Sequence, residues 1–144
     1  MAGSIGQPTV GILPWQAVYA TSGTFARTQG STYLGMGLWE NTTSATTDYW
    51  EFQMWMDAGT WKHAGVYHTS SGNGIVSIQI DGVEVGTLDQ YEASGASNKY
   101  AEVTGIAVAT AGLKTIRYAT PTKNASSSNY SAHVNSAAWI RTGA

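Results

Sequence analysis

From Asp48 to Met56 apolar and polar side chains alternate. Trp50, Phe52, Met54 and Met56 share one parity, and Tyr49, Glu51, Gln53 and Trp55 share the other. Residues two apart point to the same side of a pleated strand, so this stretch predicts a half-buried strand with one face on a core. The same period recurs at Ile75–Ile80, where Val76, Ile78 and Ile80 face one way. Asp81-Gly82 follows, and a two-residue loop of those types supplies the positive φ that a tight hairpin demands. It predicts a hairpin joining Ile75–Ile80 to Val83–Leu88. Further strands are expected at Gln16–Ala20, Tyr33–Asn41, Trp61–Thr69, Glu102–Val108, Leu113–Ala119 and Ala132–Arg141, with "AGL" at 111–113 as another tight turn.

No window keeps an i, i+3, i+4 apolar pattern with caps, so no helix is predicted. Short strands with a turn signal every 8–12 residues or so mean a sandwich or barrel. Eight to nine antiparallel strands in one domain favour a jelly-roll β-sandwich, two sheets packed face to face. Residues 1–14 are punctuated by Gly3, Gly6, Pro8, Gly11 and Pro14, yet carry Ile5, Val10, Ile12 and Leu13. They read as an extended N-terminal arm, either tucked under its own sheet or laid on a neighbour, ahead of one sandwich domain over 15–144.

Composition narrows the function. Formal net charge is −2 and the seven basic residues are scattered singly, so no nucleic-acid partner is expected. Only 11% of the 144 residues are charged, against about 25% in ordinary soluble domains. Thr (18) and Ser (14) supply most of the polar surface instead. A hydroxyl-rich, charge-poor surface is buried against a partner at a lower desolvation cost, which points to oligomerisation or docking. There is no cysteine, hence no disulfide and no thiolate metal site. No run approaches the ~18 apolar residues that span a bilayer, so no membrane partner is expected. The N-terminus lacks the basic and apolar regions of a signal peptide, and synthesis in the cytoplasm is expected.

The segment "GNGIVSIQIDGVEVGTLDQY" (72–91), followed by "GLKTIRYATPTKNASSSNYSAHVNSAAWIRTG" (112–143), resembles the jelly-roll domains of tailed-bacteriophage virion proteins. The features that carry this are an "xDGVxxGTxDxY" hairpin, a "GxKTxR" strand, the "KNASSSNY" loop and a closing "WIRTG" strand. The resemblance implies a homotrimeric building block on a virion, without enzymatic activity. Two roles are implied: a capsid decoration (cement) protein bound to the major capsid protein, or the receptor-binding or carbohydrate-binding tip of a tail or head fibre. The expectation is a cement protein on the capsid surface, docked through Ile5, Val10, Ile12, Leu13 and Trp15, with a host-surface glycan as the alternative partner.

Candidate chemistry is sparse. His63 and His68 lie five apart on one expected strand and so point to opposite faces, and His133 is distant in sequence. A zinc site needs three or four convergent ligands, so none is expected, and the three histidines read as separate hydrogen-bonded or exposed groups. Any two of Glu40, Asp48, Glu51 and Asp57 could meet across strands at glycosidase separation, but such pairs arise by chance in any sheet and the chain is short for a polysaccharide cleft; Asp57 and Asp81 read as turn residues. Asp89 with Asp81 and Glu92 lacks the spaced acidic loop of a calcium site. Ser126, Ser127 and Ser128 lie in turn material with no nucleophile elbow around them. No catalytic residue and no cofactor are expected. Aromatics are the remaining signal: Tyr49 and Trp55, on the polar parity of their strand, form either an oligomer interface or a ligand platform. Trp61, Tyr67, Tyr91 and Tyr130 are the candidates to join them.

Overall fold

The computed structural model describes residues 9–12, 20–22, 25–28, 38–41 and 47–144. These residues contain twelve strands: β1 (Thr9–Ile12), β2 (Ala20–Ser22), β3 (Phe25–Thr28), β4 (Leu38–Asn41), β5 (Tyr49–Met56), β6 (Gly59–Thr69), β7 (Ile75–Ile80), β8 (Val83–Asp89), β9 (Ala96–Val108), β10 (Gly112–Thr122), β11 (Ala132–Val134) and β12 (Ser136–Gly143). They form an antiparallel β-sandwich of the jelly-roll class. One sheet has the order β1-β12-β6-β9 and the other β2-β5-β10-β7-β8, with a smaller β11-β4-β3 sheet beside them. The expected strands at 16–20 and 33–41 reach the described residues only at Ala20, in β2, and at Leu38–Asn41.

The core forms where the alternation placed it. Trp50, Phe52, Met54 and Met56 turn inward from β5, and Ile116, Tyr118, Val76 and Ile78 join them from β10 and β7. Trp61, Ile106, Val108 and Trp139 come from the facing sheet. Trp50 and Tyr118, directly opposite in register, stack with centroids 4.4 Å apart and planes 6° from parallel. Each such aromatic removes 150–250 Å² or so from water and dominates the burial term. The hairpin between β7 and β8 turns on Asp81 (φ 51°) and Gly82 (φ 82°), as the turn chemistry requires. Gly86 on β8 faces β9, and a Cβ there would run into the Val103 side chain. Gly86→Ala therefore overpacks the contact between the sheets. It is expected to lower unfolding free energy by roughly 1–3 kcal/mol in urea titrations.

One sequence expectation is narrowed to one of its two alternatives here, and one is corrected. Thr9–Ile12, placed in an extended arm, is an edge strand of the chain's own sheet, with Val10 opposite Trp139 and packed against the core. Val10 is therefore engaged within its own chain. The backbone of Ile12 pairs with Ala137, whereas Ile5, Leu13 and Trp15 lie outside the described residues. The single closing strand expected over 132–141 is two strands in two sheets. β11 pairs with β4 and β12 with β6, and the chain changes sheet at Asn135, whose N–H donates to Val66 O (2.8 Å).

The histidines also differ from expectation. His63 is buried between Tyr118 and Trp139, at centroid distances of 5.6 and 5.1 Å. Neither of its ring nitrogens has a hydrogen-bond partner among the described residues. His68 and His133, far apart in sequence, bring their rings to 5.1 Å. Burial pushes His63 down to about 4. Burial, and then the neighbouring His68, pushes His133 down to about 4. Both stay neutral in the fold while the unfolded chain binds their protons below about 6.5. Between those values the unfolded state carries more protons, so stability rises with pH and is lost as pH falls. Urea unfolding at pH 7 and pH 4.5 is expected to differ by roughly 2–3 kcal/mol for each histidine. A flat profile across that window contradicts this.

Candidate functional site

Because β5 is half-buried, every second side chain leaves the core, and pairing with β10 sets them in rows. Tyr49 lies opposite Ala119, Glu51 opposite Arg117, Gln53 opposite Thr115 and Trp55 opposite Leu113. On the far side of β10, β7 continues these rows, with Gln79 opposite Arg117 and Ser77 opposite Ala119. β8 adds Glu84 opposite Gln79 and Thr87 opposite Ser77. The seven residues of strand from Tyr49 to Trp55 make a face about 20 Å long.

At one end sits an apolar step. Trp55 is 62% exposed and Leu113 61%. The Trp55 indole is fixed rather than loose: its Nε1–H donates to Asp57 Oδ1 (3.1 Å). The middle of the face is polar and internally bonded. Arg117 Nε donates to Glu51 Oε2 (2.8 Å), and the guanidinium lies 3.8 Å from the Tyr49 ring centroid, so a cation–π contact holds its plane. Glu51 is only 8% exposed although it leaves the core, because Arg117 covers it. Beside them Ser77 Oγ donates to Glu84 Oε2 (2.6 Å), and Gln79 Nε2 donates to Ser77 Oγ (3.2 Å). The result is a shallow strip of planar polar groups with an aromatic ring at each end.

The other expected aromatics do not join it. Trp61 is 1% exposed, on the opposite sheet, and donates its Nε1–H to Asp57 O (2.9 Å). It is a core residue; its parity on β6 is the inward one, which sequence alone did not orient. Tyr67, Tyr91 and Tyr130 are half-buried. Burial raises the Tyr67 phenol, and nearby Asp89 and Glu92 add to this against Lys99. Asp89 accepts from Tyr91 N (3.0 Å) and Asn124 Nδ2 (2.8 Å), while Lys123 Nζ lies 5.4 Å from the Tyr130 ring. Tyr67 therefore belongs to β6 of the facing sheet, and Tyr91 and Tyr130 to the loops after β8 and β10. Asp81 is elsewhere again, held low by the Thr115 amide and then by Lys114, so it does not converge with Asp89 and Glu92. Among the described residues no three His, Asp or Glu side chains converge on a metal position.

Leu113, Arg117, Ser77, Gln79 and Glu84 were not singled out in the sequence. The signal was present on β10, where Leu113, Thr115, Arg117 and Ala119 occupy the polar parity. Only the strand order puts that row between β5 and β7.

No family model matches this chain, and no curated protein does. Among solved structures it is similar to a Paenibacillus xanthan lyase, with a TM-score of 0.76 and 22% identity over 97% of this chain; the match spans 14% of the lyase. It is also similar to the first family 36 carbohydrate-binding module of a multidomain xylanase from the hindgut metagenome of Trinervitermes trinervoides (TM-score 0.70, 14% identity, 95% of this chain and 100% of that one). A third is the family 35 carbohydrate-binding module from Clostridium thermocellum (TM-score 0.63, 16% identity, 91% and 98%). At these identities the likeness is one of fold.

Proposed function

We propose that this chain is a non-catalytic carbohydrate-binding domain whose ligand lies along the outer face of the β2-β5-β10-β7-β8 sheet. The observation that carries the reading is Trp55. An indole left 62% exposed beside an equally exposed Leu113 forgoes a large burial term, and its N–H bond to Asp57 holds the ring in place at the surface. A pyranose ring fits such a place because its C–H face covers the indole while its hydroxyls reach polar neighbours. Gln53, Thr115, Arg117 and Gln79 provide those neighbours along the same strip. Orientation fixed before binding also lowers the ordering cost. The carboxylates on the face are committed, Glu51 to Arg117 and Glu84 to Ser77, which favours binding over hydrolysis. The carbohydrate-binding modules of the same fold support the same reading.

The capsid-decoration alternative fits this face less well. A stable protein interface buries about 800 Å² per partner around an apolar, charge-depleted centre. Here the centre is an Arg–Glu pair and the apolar groups stand at the end. Electrophoresis through gels containing soluble polysaccharides tests the proposal: at least one is expected to retard the protein without releasing reducing ends. Unchanged mobility in every gel overturns it. The measurement for the alternative is then the number of copies per purified virion against the major capsid protein, with homotrimer and virion placement tested together.

A further inference from the structure

We infer that the ligand of this face is an uncharged glycan chain whose neighbouring hydroxyls are read by Glu51, Arg117 and Gln79; the inference rests on the carbohydrate-binding reading above. The hydrogen-bond directions follow from proton accounting. Ser77 has one hydroxyl proton and gives it to Glu84 Oε2, so what Ser77 Oγ receives from Gln79 must come from an N–H. This orients the Gln79 amide and leaves its Oε1 as the open acceptor. Arg117 uses Nε toward Glu51 Oε2; among the described residues its terminal nitrogens make no side-chain hydrogen bond, so they remain as donors. Among the described residues Glu51 Oε1 makes no hydrogen bond, and it is the acceptor next to them. Register places these groups in one row, with donors on Arg117 flanked by acceptors on Glu51 and Gln79.

A hydroxyl both donates and accepts, so a pair of adjacent hydroxyls can satisfy such a row in full. A carboxylate or sulfate can only accept. It would bond to Arg117 yet leave Gln79 Oε1 and Glu51 Oε1 without a donor beside it. Charge points the same way: among the described residues the face and its anchoring turn carry Glu51, Glu84 and Asp57 against Arg117 alone, and Arg117 is already paired with Glu51. Among the described residues the face has no unpaired cation to offer an anionic polymer.

The test uses the intact protein in gels containing a neutral β-glucan, a neutral mannan, a neutral xylan, a polyuronate or a chitosan, at low salt and at about 0.5 M salt. Retardation by at least one neutral polymer, changing less than about twofold with salt, is expected, with none by the polyuronate. Salt-sensitive retardation by the polyuronate or the chitosan alone overturns the inference while leaving carbohydrate binding in place. No retardation by any polymer overturns both. Arg117→Lys keeps the charge and loses the planar fork, so affinity for the neutral polymer is expected to fall about tenfold. Affinity unchanged in a folded Arg117→Lys protein also overturns the inference. If that variant does not fold, the unsubstituted protein's polymer selectivity still decides.

Discussion

Replacing Trp61 by alanine is expected to destabilise the domain by about 3–5 kcal/mol, enough to consume much of the stability of a chain this size. Trp61 is 1% exposed and pairs in register with Ile106 on one side and Arg141 on the other. Truncation removes its transfer energy and leaves a cavity that strands on both sides prevent from collapsing. It also removes the donor to Asp57 O, in the turn whose side chain holds Trp55. Urea unfolding measures the first effect. A second, smaller consequence is a weakened glycan contact, because the turn loses one of its anchors. A loss below about 1 kcal/mol would mean that Trp61 is not a core residue.

Trp55→Ala is expected to do the reverse. Its ring is mostly in solvent, so unfolding free energy should change by less than about 0.5 kcal/mol. Binding should weaken by about 2 kcal/mol, roughly 30-fold, as truncation of an aromatic anchor does. Trp55→Phe keeps a flat apolar face but loses the bond to Asp57, and is expected to fall between the two. Titration calorimetry on a polysaccharide that retards the native protein measures both. Equal affinity for native protein and Trp55→Ala would remove the residue on which the site rests.

Where the period was long and clean, the fold was legible before any coordinates. Asp48–Met56 has its core parity on Trp50, Phe52, Met54 and Met56, and the Asp81-Gly82 hairpin closes as its turn residues demand. The pattern failed where the chain changes sheet, from the fully buried β11 to the alternating β12. Ala132–Arg141 reads as one strand, yet its ladder switches partner from β4 to β6 at Asn135, a single residue disfavoured in strands that is too weak a signal to mark a change of sheet. β9 begins at Ala96, six residues before the expected start, because "ASNK" is turn material held in a strand by β6. The site was half legible. Parity alone identified Tyr49 and Trp55 as facing away from the core. Arg117, Gln79 and Glu84 came to light only through the order β5-β10-β7-β8, which pairs residues far apart in the chain. Trp61 was misplaced for a related reason: its strand is polar and apolar on both parities, so its inward face was set by the opposing sheet.

The most direct test of the binding face is the response of the six tryptophan indole N–H signals in a heteronuclear NMR titration with a neutral oligosaccharide. Trp55, on the outer face, is expected to shift strongly and saturably, together with the Arg117 and Gln79 side-chain N–H groups. Trp50, Trp61 and Trp139, all in the core, are expected to stay in place. A saturable titration that leaves Trp55 unmoved and shifts the backbone around Tyr91 and Tyr130 would contradict the account and place the ligand on the loops.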